Sequence, residues 1–255
     1  VLPVHDSPAK WVHRRQPRRR AEYAQLSSAS DEESDLLRKS HSSRIDIQLA
    51  LYRFALEACF GLICTDLGTD AISLCDNRRH GSSLLDLGCG NLVNGCLPLT
   101  KLLISPAQLF IGVDLFVNCS SPTAVACVNC DLTRINAQQT AQLTPFRDRV
   151  FDYVVSISFL QWLIAKDETH FSDQLLSQFS AELFRLLSRP GDGGDGYGNG
   201  QCVLQFYPSG WTDVDRVCRC LVKANPKLKG CRMLAQPVRN RGTKLFLYVT
   251  FSGQE

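Results

Sequence analysis

The chain has 255 residues, 44% hydrophobic and 21% charged, with a formal net charge of +3. That is enough apolar material for one full-sized domain, and no run of about 18 apolar residues is present to cross a membrane. Its twelve cysteines are scattered through apolar segments of a chain far larger than the small secreted domains that need disulfide staples, so reduced, mostly buried thiols in an intracellular compartment are expected. The first residues lack the layout of a secretory signal, and the chain opens on Val1, which leaves its true start open.

The net charge hides a segregation. Val1 to Arg20 carries six basic residues against Asp6 alone, residues 21–214 carry thirteen basic against twenty-two acidic, and residues 215–244 carry nine basic against one acidic. An acidic body with basic flanks suits contact with a polyanion such as RNA, and equally suits a solvated C-terminal helix and hairpin. Up to about residue 42 there is neither helical nor strand period, so residues 1–42 read as a disordered extension, basic then acidic, and residues 43–255 as the domain. From Ile45 the apolar positions Ile45, Leu49, Tyr52, Leu56, Phe60 and Ile63 recur at threes and fours behind a Ser43–Asp46 capping box, which predicts an amphipathic helix. Apolar strands then alternate with helical stretches: Leu84 to Leu87, Leu109 to Asp114, Val125 to Cys130, Phe151 to Ser158, Cys202 to Tyr207 and Leu245 to Phe251. That alternation predicts an α/β fold with a doubly wound, mostly parallel sheet. The glycine-rich stretch 191–200 lies on the N-terminal side of the fifth strand, so it reads as a flexible turn rather than a phosphate cradle.

The chemistry concentrates at strand ends. Leu84-Leu85-Asp86-Leu87-Gly88-Cys89-Gly90-Asn91 is an apolar strand closing on an acid and a glycine turn, with a helix expected over 92–103. Gly88 and Gly90 allow a sharp bend and close approach of a ligand, and helix N-terminal amides can receive its polar groups. Asp114 closes the next strand and Asp131 the one after, placing three carboxylates at one edge of neighbouring strands. Each alone reads more readily as a turn cap, and the three in register point to a cofactor. Cys127 and Cys130 have no second pair at a matching spacing, and Cys218 and Cys220 sit on a probable helix, so no metal site is expected.

With these residues together the chain resembles the class I S-adenosylmethionine-dependent methyltransferases over roughly Ser43 to Phe251, a fold with a seven-stranded, Rossmann-like sheet. Within that class, Phe146, Phe151-Asp152 and Ser156-Ile157-Ser158-Phe159-Leu160-Gln161-Trp162-Leu163 resemble the fourth-strand motif of the eukaryotic 18S rRNA (guanine-N7)-methyltransferases. Ser42-Ser43-Arg44-Ile45-Asp46-Ile47-Gln48 is similar to that family's N-terminal helix start, and Gln205-Phe206-Tyr207-Pro208 with Asp213-Val214-Asp215 to its fifth-strand exit. The biotin-pathway carrier-protein O-methyltransferases share the Gln161-Trp162 pattern; the flanking pieces favour the rRNA enzymes.

The resemblance implies S-adenosylmethionine as cofactor, with Asp86, Gly88, Cys89 and Gly90 at its methionine part, Asp114 on the ribose hydroxyls, Asp131 on the adenine amino group, and Leu115 and Leu132 flanking the ring; Ser156 joins this set. It also implies that Gln161, Trp162, Tyr207 and Pro208 place a guanine, with no general base needed because N7 carries a lone pair and no proton. Trp162 and Phe159 read equally as core residues. The implied partners are small-subunit rRNA or a pre-ribosome, and a small zinc-binding activator protein added as an extra strand at 124–130; no membrane is involved. The implied place is the nucleus or nucleolus and cytoplasm, with the Arg-rich start reading alternatively as a mitochondrial presequence. Leu92 stands where the family has a third glycine, and the family's basic C-terminal tail is absent before Glu255. These departures keep two other readings open: an inactive, methyltransferase-like ribosomal subunit, and a small-molecule or carrier-protein O-methyltransferase.

Overall fold

The computed structural model describes residues 47–60, 83–90, 109–115, 126–133, 142–164, 169–187, 200–225, 231–238 and 242–250. The N-terminal extension, the Ser43–Asp46 box, Leu92 with the expected helix 92–103, residues 124–125 and most of the glycine-rich stretch lie outside these ranges.

Helix α1 occupies 47–60, α-helical to Phe54 and widened to a π turn over Ala55–Cys59. Strands β1 (Ser83–Leu87), β2 (Leu109–Asp114), β3 (Ala126–Asn129) and β4 (Tyr153–Ile157) follow. Then come α2 (Thr169–Leu186), β5 (Gln201–Phe206), α3 (Trp211–Ala224), β6 (Cys231–Val238) and β7 (Gly242–Thr250). They form one seven-stranded sheet in the order β3-β2-β1-β4-β5-β7-β6. The first five strands pair in parallel, and β7 runs antiparallel to both β5 and β6. This is the doubly wound, mostly parallel architecture that the alternation of strands and helices predicts.

Both faces of the sheet are covered, which explains why β1, Ser-Leu-Leu-Asp-Leu, is buried at every position instead of alternating apolar with polar. Leu85, Leu87, Val113, Val154 and Leu204 face a core closed by Leu175, Leu176, Phe179 and Leu183 of α2 and Val217 and Leu221 of α3. On the other face Leu84, Phe110, Tyr153, Val155, Val203 and Phe246 meet Leu51, Tyr52, Ala55, Leu56 and Phe60 of α1. Phe60 lies 4.9 Å from the Tyr153 ring and Phe54 4.7 Å from Phe246, so α1 is fastened at two points. The sheet ends on β3 at one edge and β6 at the other. Pro237 sits in β6, the kind of strand that tolerates a residue without an N–H.

At the N-terminal ends of the strands, Asp152 accepts from the Ser83 amide at 2.9 Å and from its hydroxyl at 3.0 Å, tying the start of β4 to the start of β1. Phe146 stacks edge-on against Phe151 at 5.2 Å. These motif residues therefore act on the far side of the sheet from the carboxylates.

Candidate functional site

β1, β2 and β3 are neighbours and parallel, so their C-terminal ends share one edge. Asp86 is the last residue but one of β1, Asp114 ends β2, and Asp131 lies two residues past β3. Asp86 is fully buried and its Oδ2 accepts the Tyr52 hydroxyl at 2.6 Å. Asp114 is buried too; Oδ2 accepts the Gly90 amide at 2.8 Å and Oδ1 the Leu115 amide at 2.7 Å. The glycine turn is thus clipped to the end of β2, and the Gly88 and Cys89 amides add bonds of 2.8 and 3.0 Å to the Val113 carbonyl.

Gly88 and Gly90 have φ of 77° and 70°, a region that L side chains avoid. A Cβ on Gly88 would come within 2.4 Å of the Phe159 ring, so Phe159 closes this cradle and glycine alone fits it. Asp131 engages its own turn, its Oδ1 accepting the Thr133 amide at 3.0 Å and hydroxyl at 2.6 Å. Cys89 and Leu132 are buried, one toward α1 and the other in the α2-side core, and Leu115 is half-buried. Ser156 is fully buried and donates at 2.7 Å to the Leu87 carbonyl, so its hydroxyl fixes the exit of β1.

The residues that the resemblance assigns to guanine placement lie beyond β4 and β5. Ser158 has φ 59°, an unusual value for a residue with a side chain. Gln205, buried on β5, holds it: Oε1 accepts the Ser158 amide at 3.1 Å and hydroxyl at 3.0 Å, and Nε2 donates to the Phe206 carbonyl at 3.0 Å. The chain then turns through a short 3-10 segment, Leu160–Trp162, where Gln161 donates to the Ser158 carbonyl. Its buried Oε1 has no hydrogen-bond partner among the described residues, leaving an acceptor for a ligand. Trp162 is half-buried against the α2-side core, where Phe159 is buried.

Tyr207 is half-buried at the end of β5, with the buried Lys244 ammonium 5.0 Å from its ring centroid. Pro208 is buried beside it. Asp213, also part of the resemblance, accepts the Ser209 amide and hydroxyl at 2.7 and 2.6 Å and so starts α3. Tyr52, Ser158, Gln205 and Lys244 enter this edge without having been assigned a role from sequence; each acts through a partner distant along the chain.

Burial, then the Asp131 and Glu182 carboxylates, push the Cys130 thiol up from its ordinary value. That is the reverse of what a metal-binding thiolate needs. Its Sγ donates to the Leu143 carbonyl at 2.7 Å.

An S-adenosyl compound fits these residues. The cradle excludes side chains, and two buried acids stand at adjacent strand ends, each oxygen having lone pairs beyond the bonds described.

The 18S rRNA (guanine-N(7))-methyltransferase of Schizosaccharomyces pombe is 26% identical over 196 residues, 75% of this chain and 65% of the relative. The 18S rRNA (guanine(1575)-N(7))-methyltransferase of Saccharomyces cerevisiae is 30% identical over 148 residues, 55% of this chain and 46% of the relative. The chain is similar in sequence to the 18S rRNA (guanine-N7)-methyltransferases. A Dictyostelium discoideum relative described as a probable enzyme of this kind is 26% identical over 68% of this chain and 54% of its own length. The chain thus spans about half to just under two thirds of these relatives. No protein-family model matches it. Among solved structures, a SAM-dependent methyltransferase from Methanosarcina mazei covers 70% of this chain and 95% of its own at 15% identity, with a TM-score of 0.41.

Proposed function

We propose that this chain is an S-adenosylmethionine-dependent methyltransferase that modifies N7 of a guanine in small-subunit rRNA. The observation that carries the reading is the convergence of buried Asp86, the left-handed Gly88 and Gly90, and Asp114 on one sheet edge, beside the Gln161 and Tyr207 turn. The cofactor supplies an electrophilic methyl group. Asp86 holds its amino-acid end and Asp114 accepts from the ribose hydroxyls, since one carboxylate takes two donors. Asp131 receives the adenine amino group.

Guanine N7 needs placement rather than deprotonation, and the turn provides it. Tyr207 offers a stacking face for a flipped base, and Gln161 Oε1 accepts from the guanine edge. The rigid Ser158–Gln205 clamp keeps that acceptor in place. Activity is accordingly expected in the nucleus or nucleolus, on a pre-ribosomal particle. The edge strand β3, with Ala126 and Asn129 exposed and Cys127 and Val128 half-buried, supports docking of a small zinc-binding activator as an added strand.

Calorimetric titration with S-adenosylhomocysteine, repeated on Asp114→Ala, tests the cofactor site: heat from the wild type and its loss in the variant are expected. No heat from either would favour the inactive ribosomal subunit. Methyl incorporation into small-subunit rRNA, mapped by cleavage at N7-methylguanine, tests the substrate; incorporation into free acids instead would replace this reading with an O-methyltransferase.

A further inference from the structure

We infer that Tyr52 of α1 is a positioning residue for the cofactor site, holding the Asp86 carboxylate in the orientation that receives the ligand. The inference rests on the proposed cofactor reading. Tyr52 and Asp86 lie 34 residues apart, are 1% and 0% exposed, and meet in a 2.6 Å hydrogen bond from the phenol to Oδ2. Leu51, Tyr52, Ala55, Leu56, Cys59 and Phe60 make a stripe with a strict four-residue repeat. An α-helix has 3.6 residues per turn and would rotate such a stripe off the sheet. The wider π turn at Ala55–Cys59 keeps Phe60 on the sheet, against Tyr153, while Tyr52 points at Asp86.

On the α1 face of β2 the neighbours of Asp86 are Gly112, its register partner, and Asp114 two residues on; on β4 they are Val155 and Tyr153. Cys89 follows in the turn. The charged residues of α1, Arg53 and Glu57, lie outside the buried stripe, and Lys244 is three strands away along the sheet. A buried carboxylate favours its neutral form unless donors hold it charged, and a protonated Asp86 loses the charge that attracts the cofactor ammonium.

Titration of the full chain with S-adenosylhomocysteine from pH 6 to 9 tests this by calorimetry. Tyr52→Phe, which removes only the hydroxyl, should weaken binding on the order of tenfold near pH 6 and by less than about twofold near pH 9. The acid limb of its affinity profile thus moves to higher pH. 3-Fluorotyrosine at position 52 keeps the packing and donates more strongly, so it should move the limb to lower pH, which keeps the test decisive if Tyr52→Phe misfolds. Profiles parallel to the wild type, or one constant factor at every pH, would overturn the role of Tyr52 while leaving the cofactor site standing. A wild type without heat at any pH would overturn both.

Discussion

Gly88 shows how much a single backbone position carries at this edge. Its φ of 77° and the Phe159 ring 2.4 Å from where a Cβ would stand give two independent costs to any side chain. Gly88→Ala is expected to lower stability by about 1–3 kcal/mol and to abolish S-adenosylhomocysteine binding, read by thermal melting and calorimetry. Phe159→Leu in the same chain should not restore the stability, because leucine keeps the Cβ and Cγ that stand 2.6 and 2.4 Å from the new methyl group. Asp114 differs in kind, since both its oxygens accept backbone N–H groups. Asp114→Asn turns one acceptor into a donor facing a donor, and at least tenfold weaker binding with an altered glycine turn is expected in the same titration. The carboxylates and glycines were legible from sequence because a strand followed by an acid and glycines is a local pattern. Tyr52 and Gln205 were not, since a hydrogen bond between residues 34 or 47 positions apart leaves no local trace. Ser158 was hidden for a related reason: its left-handed φ ordinarily selects Gly or Asn, and here a distant glutamine stabilises a serine instead.

At the scale of elements, α1 and α2 solve different problems. The spacing of apolar residues predicts a helix that includes α1, yet a 3.6-residue reading picks Leu49 and Leu56 and passes over Leu51, Ala55 and Cys59, which the π turn buries. The four-residue repeat was the available signal. α2 instead straps down the loop before β4. Glu182, buried, accepts the Thr144 amide at 2.9 Å and hydroxyl at 2.6 Å, and Arg185 bridges Glu182, the Phe146 carbonyl and Asp148. Burial pushes the Glu182 carboxyl up, and the Arg185 and Thr144 hydrogen bonds outweigh it, holding the group below its ordinary value. The stability from this network is therefore complete above the ordinary carboxyl range and falls away as pH drops through the depressed value. Glu182→Gln should cost about 1–3 kcal/mol at neutral pH in denaturant unfolding. The gap between variant and wild type should close in acid; a gap that stays constant down to about pH 3 would disprove the linkage.

Across the whole molecule, the charge segregation seen in sequence resolves into paired and unshielded parts. Arg216 of the basic segment bonds Asp173 of α2, and Arg219 meets Asp215 at 2.9 Å one helical turn away, so much of the α3 charge is answered within the protein. The solvated-face reading fits α3 better than an RNA groove does. The two sheet edges are similarly unequal. β6 carries Pro237 and one charge, Arg232, in an otherwise mostly apolar strand, and both discourage pairing with another chain. β3, Ala-Cys-Val-Asn, has no proline or charge of its own, and its outer side is paired with no strand among the described residues. Sequence located that edge because the third strand of this architecture falls at the margin of the sheet, but it does not encode what covers it. If a partner strand does, the chain produced alone should aggregate at moderate concentration and become monodisperse when co-produced with the proposed activator. Val128→Pro, which removes a ladder donor and fixes φ within a four-residue strand, should then abolish co-purification. Ala126→Lys, at the exposed start of β3, should raise the solubility of the isolated chain and weaken the complex. Light scattering and size-exclusion chromatography read both effects, and a wild-type chain that stays monomeric alone at high concentration would show that β3 needs no cover.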